Sequence, residues 1–315
     1  MAKYLLRRFT ALFITLAITS VIIFFMSEVV PVDPARSILG QYATEANVKA
    51  LRQQMGLDRP LVERYVAWLS RFVRGDLGDS FQLGTAISPL LVVRFRNSLI
   101  LAVCGMVLLV PLSLLLGTIA GLSEGRWPDW GISSLALFLT SLPDFVTGLL
   151  LVLIFSWQLK LIPGNSFMSE GGGNPLLEPI KLILPATTLA LSQVGHVTRL
   201  TRVSVARVMN SAYIRTAVLK GLPMHTIILR HALRNALLAP LTVLTTQFGW
   251  MISGLIVIEM MFTYPGLGRL FANAALFNDV PMIEASALLG VTLAVFSQLL
   301  ADILYGFLNP RIRYS

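Results

Sequence analysis

The sequence predicts an all-α membrane protein with six membrane-spanning helices. Of its 315 residues, 55% are hydrophobic and only 13% are charged, about half the charged fraction of ordinary soluble domains. Six apolar runs each approach the ~20 residues that a helix needs to cross a bilayer. Lipid offers no partner to free backbone groups, and the runs are too long for barrel strands, so each is predicted to be a helix.

The first apolar run is predicted to be a retained anchor. It follows Lys3, Arg7 and Arg8, as the core of a secretory signal would. A signal core has roughly 7–15 apolar residues and ends at a small-residue cleavage site, whereas this run is longer and ends without one. The six predicted spans are residues 9–30, 97–122, 131–158, 180–200, 236–258 and 284–308.

The distribution of basic residues predicts the orientation. Residues 199–235 contain seven Lys or Arg residues and no Asp or Glu. A short basic loop between spans is retained on the cytosolic side. Six crossings return the carboxyl end to the same side, where Arg311 and Arg313 lie. The net charge of +9 is therefore interpreted as a topology signal, and binding of nucleic acid is not predicted.

The segments outside the spans divide the chain. Residues 31–96 form the largest one, predicted to be external and mostly helical, with an amphipathic stretch at 60–72. Residues 160–179 and 262–282 are also predicted to be external; the first holds a flexible Gly171–Gly173 connector and the second begins with turn-forming residues. The predicted divisions are 1–30 (inner amino end and first span), 31–96 (external segment), 97–308 (five-helix core with an inner loop at 204–235) and 309–315 (inner tail).

No catalytic or metal-binding pattern is present in the sequence. His196, His225 and His231 lack a second ligand at metal spacing, and His196 is expected to serve packing. None of the five lysines stands in a P-loop. The single Cys104 can form no internal disulfide. The chain is therefore predicted to be no enzyme and to carry no cofactor or metal; any ATP hydrolysis must take place in another subunit.

The inner loop predicts a docking element for a cytosolic partner. A helix through Val205 and Met209 is expected to continue the fourth span inwards, and a second short helix is expected over residues 213–220. Gly221 follows it, as glycine commonly follows a helix end. Leu222 and Pro223 then begin a new segment.

Several motifs resemble the permease subunits of binding-protein-dependent ABC importers, in particular the dipeptide, oligopeptide and nickel group. The EAA loop of such permeases has the pattern Glu-Ala-Ala, three residues, Gly, nine residues and then Ile-x-Leu-Pro. In this chain the first triplet is Arg215-Thr216-Ala217, the glycine is Gly221 and the last group is His231-Ala232-Leu233-Arg234. Ala217, Gly221 and Leu233 match that pattern strictly. The other motifs are VDPA at 32–35, MGLDRPL at 55–61, RGDLG at 74–78, VIEMMFTYPGLGRL at 257–270 and NPRIRY at 309–314.

The resemblance implies the type I importer permease architecture in the inner membrane, without bond-making chemistry in this chain. It implies a second homologous permease, two ATP-binding subunits and a periplasmic or lipid-anchored solute-binding protein as partners, besides membrane lipid. It also implies that the inner loop carries the coupling helix that docks on the ATPases. The predicted docking residues are Tyr213, Arg215, Thr216, Ala217, Leu219, Lys220, Gly221 and Leu222.

Asp144 and Pro143 are the predicted residues of the translocation path. Pro143 is expected to relax the helix beside it, as where a path is gated. Asp144 follows Pro143 in the middle of the third span, where an unpaired carboxylate costs at least ~2.5 kcal/mol. It either lines the path and meets a cationic group of the solute, or partners a polar group on a neighbouring helix. Glu259 and Asp302, near span ends, are expected to snorkel or to pair with arginine, and Glu28 is expected to reach water.

The sequence leaves the solute open. By resemblance the cargo is a peptide, with nickel chelates, glutathione, opines and oligosaccharides as alternatives within the family. A different class, an ion-gradient-driven secondary transporter, would need no ATPase; the acid-free docking loop and the ordered motifs disfavour it.

Overall fold

A computed structural model of the chain describes residues 2–29, 34–39, 44–54, 56–168 and 173–308. It confirms the all-α class. The helices are α1 (Ala2–Val29), α2 (Pro34–Leu39), α3 (Glu45–Gln54), α4 (Leu61–Val73), α5 (Ile87–Leu122), α6 (Trp127–Ser141), α7 (Asp144–Leu151), α8 (Ile180–Met209), α9 (Ala212–Leu219), α10 (Met224–Thr226), α11 (Leu233–Ala236), α12 (Leu238–Met261), α13 (Leu267–Leu276) and α14 (Val280–Leu308). Two π-helical turns, Val152–Gln158 and Ile227–Ala232, continue α7 and precede α11, and Pro175–Leu177 is a 3-10 turn.

Three of the described helices are long and apolar enough to cross a membrane: α1, α5 and α14. The number rises to five if each of two bent helix pairs forms one span. The predicted fourth span lies in α8, which has 30 residues but carries polar side chains such as Lys181, Gln193 and His196. Several apolar helices thus confirm that the protein is polytopic. That α8 also crosses the membrane, as the predicted fourth of six spans, stays a prediction.

The predicted third span is not one helix. Its two halves, α6 and α7 with the following π-turn, meet at 109°. Pro143 lies between them, and the residue before a proline is pushed out of the α conformation; Leu142 is extended, with φ −84° and ψ 131°. A second bend of 47° separates Met224–Ala236 from Leu238–Ile252. Helix α5 also begins at Ile87, ten residues before the predicted start of the second span.

The centre of the bundle is the contact between α5 and α8. Small residues allow the two backbones to approach: an added Cβ at Gly117 would lie 2.4 Å from Thr201 Cβ, and one at Gly121 would lie 2.7 Å from Val205 Cβ. The buried cluster around this contact draws on α12 as well, through Met251, Leu255 and Ile258. Close packing of glycine faces is how helices associate where lipid removes the hydrophobic driving force. Helix α8 therefore packs closely against α5 from Leu189 to Val205.

We expect Gly117→Ala to destabilise the protein, because even one methyl group overlaps Thr201 and the Thr198 carbonyl oxygen. Overpacking of this kind costs about 1–3 kcal/mol. The matched control is Gly131→Ala, in the helix interior of α6, where an added Cβ meets nothing within 4 Å. Thermal unfolding of the purified chain in detergent should show a lower midpoint for Gly117→Ala only. Equal midpoints would contradict the packing described above.

Some predicted features lie outside the described residues. They include Val32, Asp33, Met55, Gly171, Gly172, Arg311, Arg313 and the whole tail 309–315.

Candidate functional site

A short helix, α9, follows the carboxyl end of α8 at the position where the docking helix was predicted. Its inward face buries Ile214 and Ala217, which form a small cluster with Ile227 and Ala232. Ala232 is fully buried and Ile227 is nearly so. The helix therefore lies on a base supplied by the returning segment, and motion of α9 is tied to that segment and to α8.

Gly221 ends α9 in the left-handed conformation, with φ +74°. The Leu222 N–H donates to the Ala217 carbonyl oxygen at 3.4 Å, and the Gly221 N–H donates to the Val218 carbonyl oxygen at 2.9 Å. These two bonds form a Schellman motif, which satisfies the last carbonyls of the helix. A Cβ at Gly221 would meet nothing within 4 Å, so the space beside it is open.

The outer face of α9 exposes apolar and basic side chains together. Leu219 is 87% exposed, Tyr213 44% and Leu222 38%. Arg215, Thr216, Lys220 and Gly221 are exposed as well. Ala217 corrects the prediction: it faces the cluster beneath α9 and so cannot supply apolar contact to a partner. The remaining predicted docking residues share one exposed surface, which we call the docking surface (Tyr213, Arg215, Thr216, Leu219, Lys220, Gly221 and Leu222).

A partly buried ion pair joins the amino end of α6 to the carboxyl-terminal part of α8, and sequence reasoning missed it. Asp129 and Arg202 form a two-pronged contact, with Nη2 to Oδ2 at 2.7 Å and Nε to Oδ1. The Gly125 N–H also donates to Asp129 at 2.9 Å. The Asp129 side chain is only 4% exposed. A signal was available: Asp129 is an acid beside a short inner turn, close to a loop that is entirely basic.

Asp144 lies at a helix start rather than within a helix. Pro143 immediately precedes α7 and Asp144 is its first residue, where the positive end of the helix dipole favours a carboxylate. The carboxyl group is half-buried and lies near Ser192 of α8. A Cβ at Gly254 of α12 would lie 3.5 Å from Asp144 Oδ2. The break in the third span thus places this acid between α8 and α12.

The core of this chain does not provide the packing predicted for His196, and that role stays a prediction. His196 lies on α8 one turn beyond Ser192, and its side chain is exposed. The neighbours Val197 and Thr198 are buried against the bundle, so His196 points away from the chain's own core.

Glu259 also corrects the sequence prediction, because it is fully buried and does not snorkel. Its carboxylate accepts hydrogen bonds from Ser98 Oγ and from the Arg269 N–H, the latter at 3.0 Å. The Ser98 Oγ in turn accepts from the Leu267 N–H at 2.7 Å. An added Cβ at Gly266 would lie 2.1 Å from the Glu259 carboxyl carbon, so only glycine fits there. Glu259 therefore fixes the start of α13 against α5.

Tyr264 adds a second tie between the same elements. Its hydroxyl donates to the Asn97 carbonyl oxygen at 2.7 Å, and the Asn97 side chain donates to the Pro265 carbonyl oxygen at 3.0 Å. Burial raises the pKa of Tyr264, so the hydroxyl remains a donor. The predicted turn-rich segment is thus an ordered cap leading into α13.

The two other acids near span ends have arginine partners. Asp302 contacts Arg8 at 2.7 Å, which confirms the predicted pairing and joins α14 to α1. Glu28 pairs with Arg64 of α4, with Nη1 to Oε2 at 2.9 Å, and is only partly exposed. Within the described ranges, no group of three or more His, Cys, Asp or Glu side chains could hold a metal ion.

The comparisons with known proteins cover the whole chain. Residues 113–314 match the family described as binding-protein-dependent transport system inner membrane component. Residues 1–113 match the amino-terminal family of the same membrane component. A Brucella abortus protein named as a peptide transport system permease is 36% identical over 315 residues, with both chains fully covered.

Glutathione transport system permease proteins of Escherichia coli K12 and Pectobacterium atrosepticum are each 35% identical, again over the full length of both chains. Members of this family are membrane components that act with a solute-binding protein and ATPase subunits, and they are not the catalytic subunits. The chain therefore belongs to the binding-protein-dependent transport system inner membrane components, the multi-pass permease subunits of ABC importers.

Proposed function

We propose that this chain imports small peptides as one half of a translocation path, paired with a second homologous permease and driven by two ATPase subunits. Both termini and the docking surface face the cytosol in this proposal, and residues 31–96 face the solute-binding protein. The observation that carries it is the docking surface, an exposed apolar and basic patch on a helix anchored to α8.

The docking surface has the composition of a protein interface. Leu219 and Tyr213 present apolar area to solvent, and both ends of the patch carry a cation, Arg215 and Lys220. Apolar anchors give affinity, while charges at the rim orient the partner. A partner surface with acidic residues around an apolar recess would fit it. Closing of the ATPases on ATP would push α9 as a rigid body, because its inner face is locked to Ile227 and Ala232.

The cargo rests on the relatives. The Brucella abortus relative is named for peptides and the Escherichia coli relative for glutathione, which is itself a tripeptide. A peptide carboxyl or amino group would therefore be present in either case. Nickel chelates, opines and oligosaccharides remain alternatives within the family, and an ion-gradient-driven transporter remains the alternative from a different class.

The orientation and the docking can be tested together with one added thiol. Cys104 is the chain's only cysteine, so its replacement by serine followed by Leu219→Cys gives a single exposed reporter. In sealed cells, a membrane-impermeant maleimide should fail to label Leu219→Cys and should label it after permeabilisation. Co-expressed ATPase subunit should protect it. Labelling from outside would contradict the proposal.

We expect Asp144→Asn to lower the rate of uptake or to change which peptides are taken up. The carboxyl group sits at a helix start between α8 and α12, where a passing ammonium group would meet a negative charge. Uptake of peptides with free and acetylated amino ends by the reconstituted importer would measure this. The matched control is Asp58→Asn, an exposed acid of the external segment. If the two variants behave alike, Asp144 does not line the path.

A further inference from the structure

An external cavity lies at the outer end of α1, away from Asp144. Its volume is about 780 Å³, within the range of small-molecule sites. Helices α1, α4 and α14 form its walls together with the loop at residues 76–81. Nothing in the mechanism proposed above uses it.

One wall of this cavity is aromatic. Phe24 packs against Trp68 with ring centroids 5.6 Å apart, and Trp68 packs against Phe72 at 5.9 Å. Aromatic faces attract cations through their quadrupole, and tryptophan does so most strongly. The wall also offers apolar area for a side chain or a hydrocarbon stem.

The floor carries a buried acid. Glu284 of α14 is only 6% exposed, and Ser27 donates to its Oε1. Across the described ranges, no donor contacts its Oε2 and no basic side chain forms an ion pair with it. The nearby Arg64 is already held by Glu28, at 2.9 Å. The Glu28–Arg64 pair is neutral, so it leaves Glu284 without a counter-charge of its own.

The exposed part of the lining carries charges of both signs: the acids Glu63, Asp76 and Asp79, and the cations Arg59 and Arg71. Arg71 is the exposed cation of α4 in this lining. A buried acid next to an aromatic wall, with an exposed guanidinium at the opening, matches a molecule that carries an ammonium group at one end and an anionic group at the other.

We propose that this cavity binds the primary ammonium group of a small zwitterion at Glu284, with the ligand's anionic group at Arg71. Two sources share this chemistry: a free peptide or amino acid on the external side, and the phosphoethanolamine headgroup of a lipid. The inference does not depend on what the importer transports, because the cavity lies between α1, α4 and α14 and Asp144 is not among its lining residues.

The test uses the full chain in nanodiscs of phosphatidylglycerol, which has no amine. Trp68 is the reporter, and Trp68→Phe identifies its share of the tryptophan emission. Alanyl-phenylalanine should change that emission. Its N-acetyl form should need a concentration about tenfold higher or more to produce the same change, because it loses a charge-assisted hydrogen bond. Glu284→Gln should weaken binding similarly, whereas Glu178→Gln, an external acid paired with Lys181, should not.

Nanodiscs of phosphatidylethanolamine distinguish the sources. If the dipeptide response falls there, the lipid headgroup occupies the cavity; if it persists unchanged, the site selects the soluble zwitterion. Equal binding of the free and N-acetylated dipeptides, or full binding by Glu284→Gln, would overturn the proposal. The proposal would also be overturned if the Trp68 emission were the same with every ligand and in both lipids.

Discussion

Replacing Gly221 by valine is expected to lower uptake about tenfold while the assembled importer still hydrolyses ATP. Gly221 has φ +74°, and a side chain in the left-handed region costs about 1–2 kcal/mol. The chain itself offers open space around this position, so a valine side chain would meet only whatever docks there. A docking contact weakened by about 1.4 kcal/mol corresponds to about tenfold in affinity.

The chain offers a matched control at Gly125. It has φ +75° and nothing within 4 Å, and it lies in the turn between α5 and α6 rather than on the docking surface. Gly125→Val carries the same backbone strain without touching the proposed partner. ATP hydrolysis and peptide uptake are measured in one proteoliposome preparation. Only Gly221→Val should keep ATP hydrolysis while peptide uptake falls. Loss of uptake in both variants would indicate backbone strain rather than docking.

Breaking the pair between Asp129 and Arg202 is expected to have the largest effect on stability. Arg202→Gln leaves Asp129, whose side chain is 4% exposed, without its counter-charge. Removing one partner of a fully buried pair costs about 3–5 kcal/mol, and because Arg202 is 29% exposed this pair is expected to fall below that range. Asp129→Asn leaves Arg202 unpaired, but its side chain is 29% exposed and so reaches water more easily. The arginine variant should therefore be the less stable one.

A double-mutant cycle isolates the pair. The Asp129→Asn/Arg202→Gln chain removes both charges and should be more stable than Arg202→Gln alone. The control is Arg36→Gln, whose pair with Glu45 has side chains 60% and 83% exposed, so its loss should cost less than about 1 kcal/mol. Denaturation of the purified chains measures all four variants. Strict additivity in the cycle would show that the contact contributes nothing to folding.

The features predicted well are those set by local composition. Apolar runs of bilayer length predict helices because lipid permits little else. The end of α9 was predictable at Gly221 because a left-handed residue closes many helices. The inward continuation of α8 to Met209 followed from its unbroken pattern. Each of these needs only neighbouring residues.

The features missed depend on contacts between distant segments. Glu259 contacts Ser98, 161 positions away, and Arg202 contacts Asp129 over 73 positions. No spacing within the sequence marks such partners. Pro143 was expected to relax a helix, but the 109° turn beside it depends on how α6 and α7 pack against α8. Ala217 matched the loop motif, yet only the fold shows that it faces inwards.

Uptake into proteoliposomes tests the central claim most directly. The importer is reconstituted with and without its ATPase subunits, and labelled dipeptide uptake is followed with ATP, without ATP and under an imposed proton gradient. If an ATPase at the docking surface drives transport, uptake is expected only when ATPase subunits and ATP are both present. Uptake by the permeases alone, with the proton gradient as the only energy source, would contradict it.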